Sequence, residues 1–371
     1  MNLDPLVATA AIKEKYLDYL ETTFALSDEE LQRELVAELK KPGRFGKGPI
    51  LEATPPFAQG GTLRDLIEEG ILSREFTKLQ TEVLPLKRKL YIHQEEAIRK
   101  LVQGQRNVVV ATGTGSGKTE CFLLPILNYL FRQQEKGVLG PGVRALLLYP
   151  MNALANDQLK RLRRLLQNYP AITFGSYTGE TKKWEEKAVE KFMQANPREE
   201  ILPNELLSRE KMWQNPPHIL LSNYAMMEYL LLRPDDNVFF DGPLAKEWRF
   251  IVLDEAHTYS GAKGIEIAML LRRLKERVVK SRPRALQCIG TSATLGGEEK
   301  DFGRVAQFAE GLFGEPFAYD KAEPSQQDVV AGVRMDLTVV DRSWGKPKAD
   351  FYLKWQGLVR GDDTDIFALK E

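Results

Sequence analysis

From Leu90 onward, short apolar runs of strand length alternate with longer amphipathic stretches. The strand-like runs are VVVA at 108–111, ALLLY at 145–149, ITFGSY at 172–177, HILLS at 218–222, FIVLD at 250–254 and ALQCIGT at 285–291. Helical patterns fall between them, such as ALANDQLKRLRRLLQNY at 153–169 and IEIAMLLRRLKERVV at 265–279. Near-continuous Val, Ile and Leu mark strands covered on both faces. Strand and helix in alternation predict an α/β fold, a mostly parallel sheet flanked by helices. Ligands of such sheets sit at the carboxyl ends of the strands.

The flanks read differently. Residues 1–40 are helical in pattern: Ile12, Tyr16, Leu17 and Leu20 share a spacing, and Ser27-Asp28-Glu29-Glu30 resembles a helix start. Pro and Gly recur from Pro42 to Gly61, which predicts irregular chain, and a short helix follows at 62–72. The expected organisation is therefore a mainly helical accessory region at 1–85, an α/β domain at 86–300 and a C-terminal α/β segment at 301–371. Within the domain, 181–217 is charged, carries Trp184 and Trp213, and reads as a helical insertion. In the last segment 301–314 reads as an amphipathic helix, while LTVVD and DFYLKW have no clear place.

Composition narrows the class. Of 371 residues, 43% are hydrophobic and 28% charged, with Lys+Arg and Asp+Glu balanced at 52 each. Any nucleic-acid binding must come from a local patch. Cys121 and Cys288 lie far apart in apolar surroundings, so neither a disulfide framework nor a zinc knuckle is expected. The N-terminus lacks the cationic start and apolar core of a signal peptide. No apolar run approaches the roughly 20 residues that span a bilayer, which predicts a cytoplasmic protein without a membrane partner.

The densest chemistry lies in NVVVATGTGSGKTE, 107–120. After the buried strand come Gly113, Thr114, Gly115, Ser116 and Gly117, whose backbone can curl so that several N–H groups face a phosphate chain. Lys118 is placed to reach the β- and γ-phosphates and Thr119 to hold Mg²⁺, and the helix that follows turns its positive end to the anion. Thr112 stands where the G-x-x-x-x-G-K-[ST] pattern has its first Gly. FIVLDEAH at 250–257 supplies the partner: Asp254 emerges from a buried strand as a second Mg²⁺ ligand, and Glu255 can orient and deprotonate an attacking water. Alone, an acidic pair ending an apolar strand is also what a solvated strand end looks like. With GKT upstream, ATP and Mg²⁺ are the expected cofactors.

GSGKT, DEAH and TSAT (291–294), in this order and spacing, resemble motifs I, II and III of the first RecA-like domain of a superfamily 2 helicase. Further segments match across 90–295. LYIHQEEAI (90–98) resembles the adenine-recognition segment, which implies Gln94 as the base-reading residue. YPMNALANDQ (149–158), YTGE (177–180) and LLSNYAMM (220–227) resemble motifs Ia and Ib, whose loops run along a nucleic-acid backbone. The resemblance implies that Ser292 and Thr294 link ATP state to domain movement, and that His257 connects the ATP site to motif III. DEAHTYSGAKGIEIAMLLRRL and NPPHILLSN resemble the Lhr and MrfA branch of DNA helicases, and helicases of phage-defence systems share segments like YPMNALANDQ.

The backbone-tracking candidates are Pro150, Asn152, Thr178, Gly179, Ser222 and Asn223, since hydroxyls, amides and open backbone hold phosphate oxygens without reading sequence. Taken singly, each also suits a turn or helix cap. Lys160, Arg161, Arg163 and Arg164 form a basic run that reads as a solvated helix face rather than a DNA patch. His93 and His218 lack partners at ligand spacing and read as structural.

A superfamily 2 motor holds ATP between two RecA-like domains, and the stretch 296–371 is too short for a second one of the usual size, about 100 residues or more. The expectation is thus one motor lobe of an ATP-dependent DNA helicase or translocase. It would track single-stranded nucleic acid, chiefly DNA, and need a second RecA-like domain in the same gene product or a partner chain. An RNA-directed ATPase and a nucleotide-gated interaction module without catalysis are the alternatives.

Overall fold

Seven parallel strands form the sheet that carries the polar motifs, in the order β5-β6-β4-β7-β8-β3-β9. The computed structural model describes residues 5–41, 43–45, 55–79, 82–294, 299–323 and 326–335. In chain order the strands are β1 (Gln59–Thr62), β2 (Lys89–Tyr91), β3 (Val108–Ala111), β4 (Ala145–Tyr149), β5 (Phe174–Ser176), β6 (Ile219–Asn223), β7 (Phe250–Leu253), β8 (Gln287–Ser292) and β9 (Val329–Ala331). The helices are α1 (Pro5–Thr23), α2 (Glu29–Lys40), α3 (Leu63–Glu68), α4 (Ile92–Val102), α5 (Lys118–Glu135), α6 (Asn152–Leu166), α7 (Glu185–Ala195), α8 (Arg209–Gln214), α9 (Tyr224–Leu232), α10 (Gly261–Val279) and α11 (Phe302–Phe313).

The chain divides into two compact units, Met1–Pro55 and Pro56–Glu371. In the first, α2 starts where the acidic tetrapeptide predicts: the Asp28 carboxylate accepts from the backbone N–H groups of Glu30 (2.8 Å) and Leu31 (3.1 Å). The second unit begins at Pro56, well before residue 85, and includes the sheet. There β1 pairs antiparallel with β2, an element hidden in the Pro- and Gly-rich stretch whose composition predicts irregular chain.

Strand residues alternate between two cores. Val108, Val110, Leu147 and Tyr149 pack with Ile98, Leu124, Leu127 and Leu162 of α4, α5 and α6. Val109, Ala111, Leu146 and Leu148 pack with Met227, Leu271 and Leu312 of α9, α10 and α11. Both faces are dry, which is why these strands read as unbroken apolar runs. The insertion between β5 and β6 carries α7 and α8. Strand β9, which the sequence pattern does not mark, pairs with β3 through Val109 and Val329. The segments LTVVD and DFYLKW fall outside the described residues.

Candidate nucleotide and nucleic-acid site

Strand order decides which motifs meet. The Gly-rich loop leaves β3, the DEAH segment leaves β7, and β8 runs between them carrying Thr291 and Ser292 at its end. Lys118 Nζ lies 3.2 Å from a Glu255 carboxylate oxygen, joining the two ends across β8. The Thr291 hydroxyl donates to Asp254 and accepts from the Glu255 N–H at 3.3 Å. His257 Nδ1 is 3.2 Å from the Ser292 hydroxyl and 3.4 Å from Glu255, and that hydroxyl also accepts from the Thr294 N–H at 3.2 Å. Glu255 holds φ 50°, the left-handed region that non-glycine residues rarely adopt. Burial pushes the Asp254 carboxyl above its usual range, opposed by the Thr291 hydroxyl and reinforced by the Glu255 charge.

The loop itself is braced from α4. Gly115 and Gly117 have φ +75° and +71°, and a Cβ on Gly117 would collide with the Gln94 amide. Gln94 Nε2 donates to the Gly117 carbonyl (3.0 Å) and its Oε1 accepts from the Tyr91 N–H (2.9 Å). Gln94 is fully buried, with both ends of its amide engaged by the protein. In this arrangement Gln94 supports the loop. His93 does the same through Nε2, 2.9 Å from the Ser116 carbonyl, and burial holds its imidazole below the ordinary range. Thr114 and Gly115 stay exposed at the loop tip. The Thr119 hydroxyl accepts from Gln158 Nε2 at 3.3 Å.

Several contacts escape the sequence patterns. Phe57 packs edge-on against His93, with ring centroids 5.3 Å apart, and Arg334 stacks over Phe57 at 4.4 Å. Glu120, only 3% exposed, receives Arg161 at 2.6 Å and Arg88 at 3.3 Å. Arg163 is also buried and pairs with Glu205 and Glu199. The solvated-face reading of this basic run is therefore wrong for Arg161 and Arg163. Gln158 and Arg161 lie three apart on α6, a spacing that shares a helix face, but their partners on α5 lie beyond any local pattern.

The proposed backbone-tracking residues gather at the ends of β4, β5 and β6, with unequal access. Asn223 Nδ2 donates to Asn152 Oδ1 (2.7 Å), Asn152 Nδ2 donates to Glu180 (3.2 Å), and Asn223 Oδ1 caps α9 at the Met226 N–H (2.7 Å). Pro150 and Asn152 are half-buried beside them. Ser222 is fully buried, its hydroxyl donating to the Tyr177 carbonyl at 2.7 Å. Thr178 is buried too, its hydroxyl accepting from the Glu180 N–H at 3.3 Å. Gly179 is exposed, with open space around it.

Sheet order and motif geometry together define a RecA-like helicase domain. The chain belongs to the DEAD/DEAH box helicase family, which matches residues 91–302. It is 32% identical over 389 residues to the Druantia protein DruE of Escherichia coli, covering 81% of this chain and 21% of that protein. It is 28% identical to the ATP-dependent helicase Lhr-Core of Sulfolobus acidocaldarius, covering 74% of this chain and 28% of the relative. Among solved structures, the DUF1998 helicase MrfA bound to DNA and AMPPNP superposes with a TM-score of 0.51 at 24% identity, over 76% of this chain and 33% of that one. The Lhr-Core likeness fits the Lhr side of the branch that the motifs resemble, and the chain spans between a fifth and a third of the length of these proteins. Among the described residues no helix is long and apolar enough to cross a membrane.

Proposed function

We propose that this chain is an ATP-binding motor lobe of a DNA helicase or translocase, hydrolysing ATP at the GSGKT and DEAH segments. The carrying observation is the 3.2 Å contact between Lys118 and Glu255, the residues to which this reading gives phosphate binding and activation of the attacking water.

The residues present suit ATP with Mg²⁺. The buried Ser116 hydroxyl finds no partner among the described residues, and Gly117 leaves no room for a side chain, as a phosphate cradle requires. Thr119 and Asp254 offer hard oxygen donors. No cluster of three or more His, Cys, Asp or Glu is found among the described residues, and Mg²⁺ characteristically needs only one or two carboxylates beside water and phosphates. When bound, Mg²⁺ would neutralise charge on the phosphate oxygens. Thr291, by donating to Asp254, would fix the orientation in which that carboxylate meets the ion. Glu255 would accept the proton of the attacking water, and His257 ties its position to Ser292.

Single-stranded nucleic acid, taken here as DNA, would cross Gly179, Asn152 and Asn223 at the strand ends. The fold shared with a helicase that holds DNA and AMPPNP together, and the likeness to a Druantia protein, support a DNA motor with a role in phage defence. A second RecA-like domain would supply the arginines that complete the pocket, so the lobe alone should turn over slowly. Steady-state ATP turnover with single-stranded DNA or RNA of equal length is the test. Stimulation by DNA supports the proposal; equal or greater stimulation by RNA favours an RNA-directed ATPase. Turnover that survives unchanged in Glu255→Gln would remove the assigned chemistry.

A further inference from the structure

The insertion between β5 and β6 holds a large aromatic ring in an unusual setting. Trp184 begins α7 with 51% of its surface exposed, a few residues beyond the open backbone of Gly179. Its backbone is anchored. The carbonyls of Lys182 and Lys183 each accept at 3.0 Å from the N–H groups of Arg209 and Glu210 in α8, and the Trp184 carbonyl accepts from Ala188 at 3.1 Å. Lys183 Nζ lies 5.1 Å from the Trp184 ring and 5.6 Å from the Trp213 ring. The Trp213 indole N–H is tied in turn to the buried Asp236 carboxylate at 2.8 Å. Beyond this, Lys183 has a loose, exposed contact to Asp235 at 4.0 Å. A half-exposed indole on an anchored backbone, with the Lys183 ammonium at its ring and Lys182 two residues before it in sequence, is the chemistry with which single strands are held: stacking on the base and attraction for the backbone.

We propose that Lys182, Lys183 and Trp184 form a stacking subsite for one base of the single strand that crosses Gly179. The base lies on the indole and the two lysines face its neighbouring phosphates. This rests on the single-strand reading above. Because every base has a π-face, the subsite adds affinity without sequence preference.

The test compares binding of oligothymidylate and an abasic strand of equal length by fluorescence anisotropy. Trp184→Leu keeps apolar bulk but cannot stack, and Trp184→Phe keeps a smaller ring. Trp184→Leu should weaken oligothymidylate binding at least about fivefold, the lower end of what one base–aromatic stack supplies. It should leave the abasic strand within about twofold, while Trp184→Phe retains most of the affinity. Equal loss on both strands, or oligothymidylate binding unchanged in Trp184→Leu, would overturn the subsite alone. A wild-type chain that binds neither strand would overturn the single-strand reading with it. Unchanged thermal stabilisation by an ATP analogue checks that each variant is folded.

Discussion

Arg161 on α6 and Glu120 on α5 meet at 2.6 Å, linking the helix that opens with Asn152 to the helix that opens with Lys118. The first carries a candidate nucleic-acid loop and the second the phosphate loop, so their relative position is held by a largely buried ion pair. Removing one partner of such a pair leaves an uncompensated charge. Arg88 stays within 3.3 Å of Glu120 and Arg161 is itself partly exposed, so the loss should be smaller than for a fully buried pair. Arg161→Ala is expected to lower stability by about 1–3 kcal/mol, read as a shift in the urea midpoint at unchanged slope. An unshifted midpoint would show the pair to be idle.

Lys118 and Glu255 touch, yet their substitution should separate binding from chemistry. Lys118→Ala is expected to abolish thermal stabilisation by ATP, because binding to the folded state alone raises the melting point. Glu255→Gln should keep that stabilisation and lower turnover by about 10²–10⁴-fold, the usual contribution of a positioned general base. A thermal shift retained in Lys118→Ala would take that residue out of the phosphate site.

His218 predicts an acid-side loss of stability. Its Nδ1 accepts from the Thr173 N–H at 2.9 Å, and its Nε2 is 3.0 Å from the Gly140 carbonyl, so the neutral ring satisfies both neighbours. Burial, with the Arg144 charge adding to it, pulls its pKa down from 6.5 to about 4. Above 6.5 the ring is neutral folded or unfolded and contributes no pH dependence. Below that value the unfolded chain takes up a proton that the folded chain refuses, so stability falls by about 1.4 kcal/mol per pH unit until about pH 4. His218→Gln should flatten this slope relative to wild type in denaturant titrations between those limits. Parallel slopes would contradict it.

Salt should separate backbone contacts from everything else. If open backbone and side-chain amides hold phosphates beside the lysines of the insertion, the logarithm of single-strand affinity should fall linearly with the logarithm of salt concentration. The expected slope is about −0.7 per neutralised phosphate. Lys182→Ala is expected to reduce that slope, whatever the base sequence. A flat salt response in wild type would end the backbone-tracking account.

The sheet is readable because its strands are buried on both faces: VVVA and FIVL leave no polar position to confuse the pattern, and their motifs follow directly from their ends. The acidic pair at 254–255 and GKT can be matched for the same reason. What escapes depends on contacts between distant segments. Phe57 reaches His93 from a stretch whose Pro and Gly content suggests only irregular chain. Arg161 and Arg163 occupy the polar positions of α6, and no local pattern shows that Glu120 and Glu205 come to meet them. Gln94 stands out by motif, but its engagement with Gly117 and Tyr91 requires knowing that α4 lies against the phosphate loop. Ser222 and Thr178 are marked by residue type alone, which does not tell a buried hydroxyl from an exposed one.

Strand β9 lies beside β3, and just past it the Gly332 N–H donates to the Ala111 carbonyl at 3.4 Å, where Thr112 and Phe57 leave no space for a side chain. The polypeptide after Ala331 is thus fastened to the residue from which the glycine turn springs. A pull on the chain at Gly332 would therefore reach Ala111, one residue before the turn in which the proposed phosphate cradle begins, through a single main-chain bond.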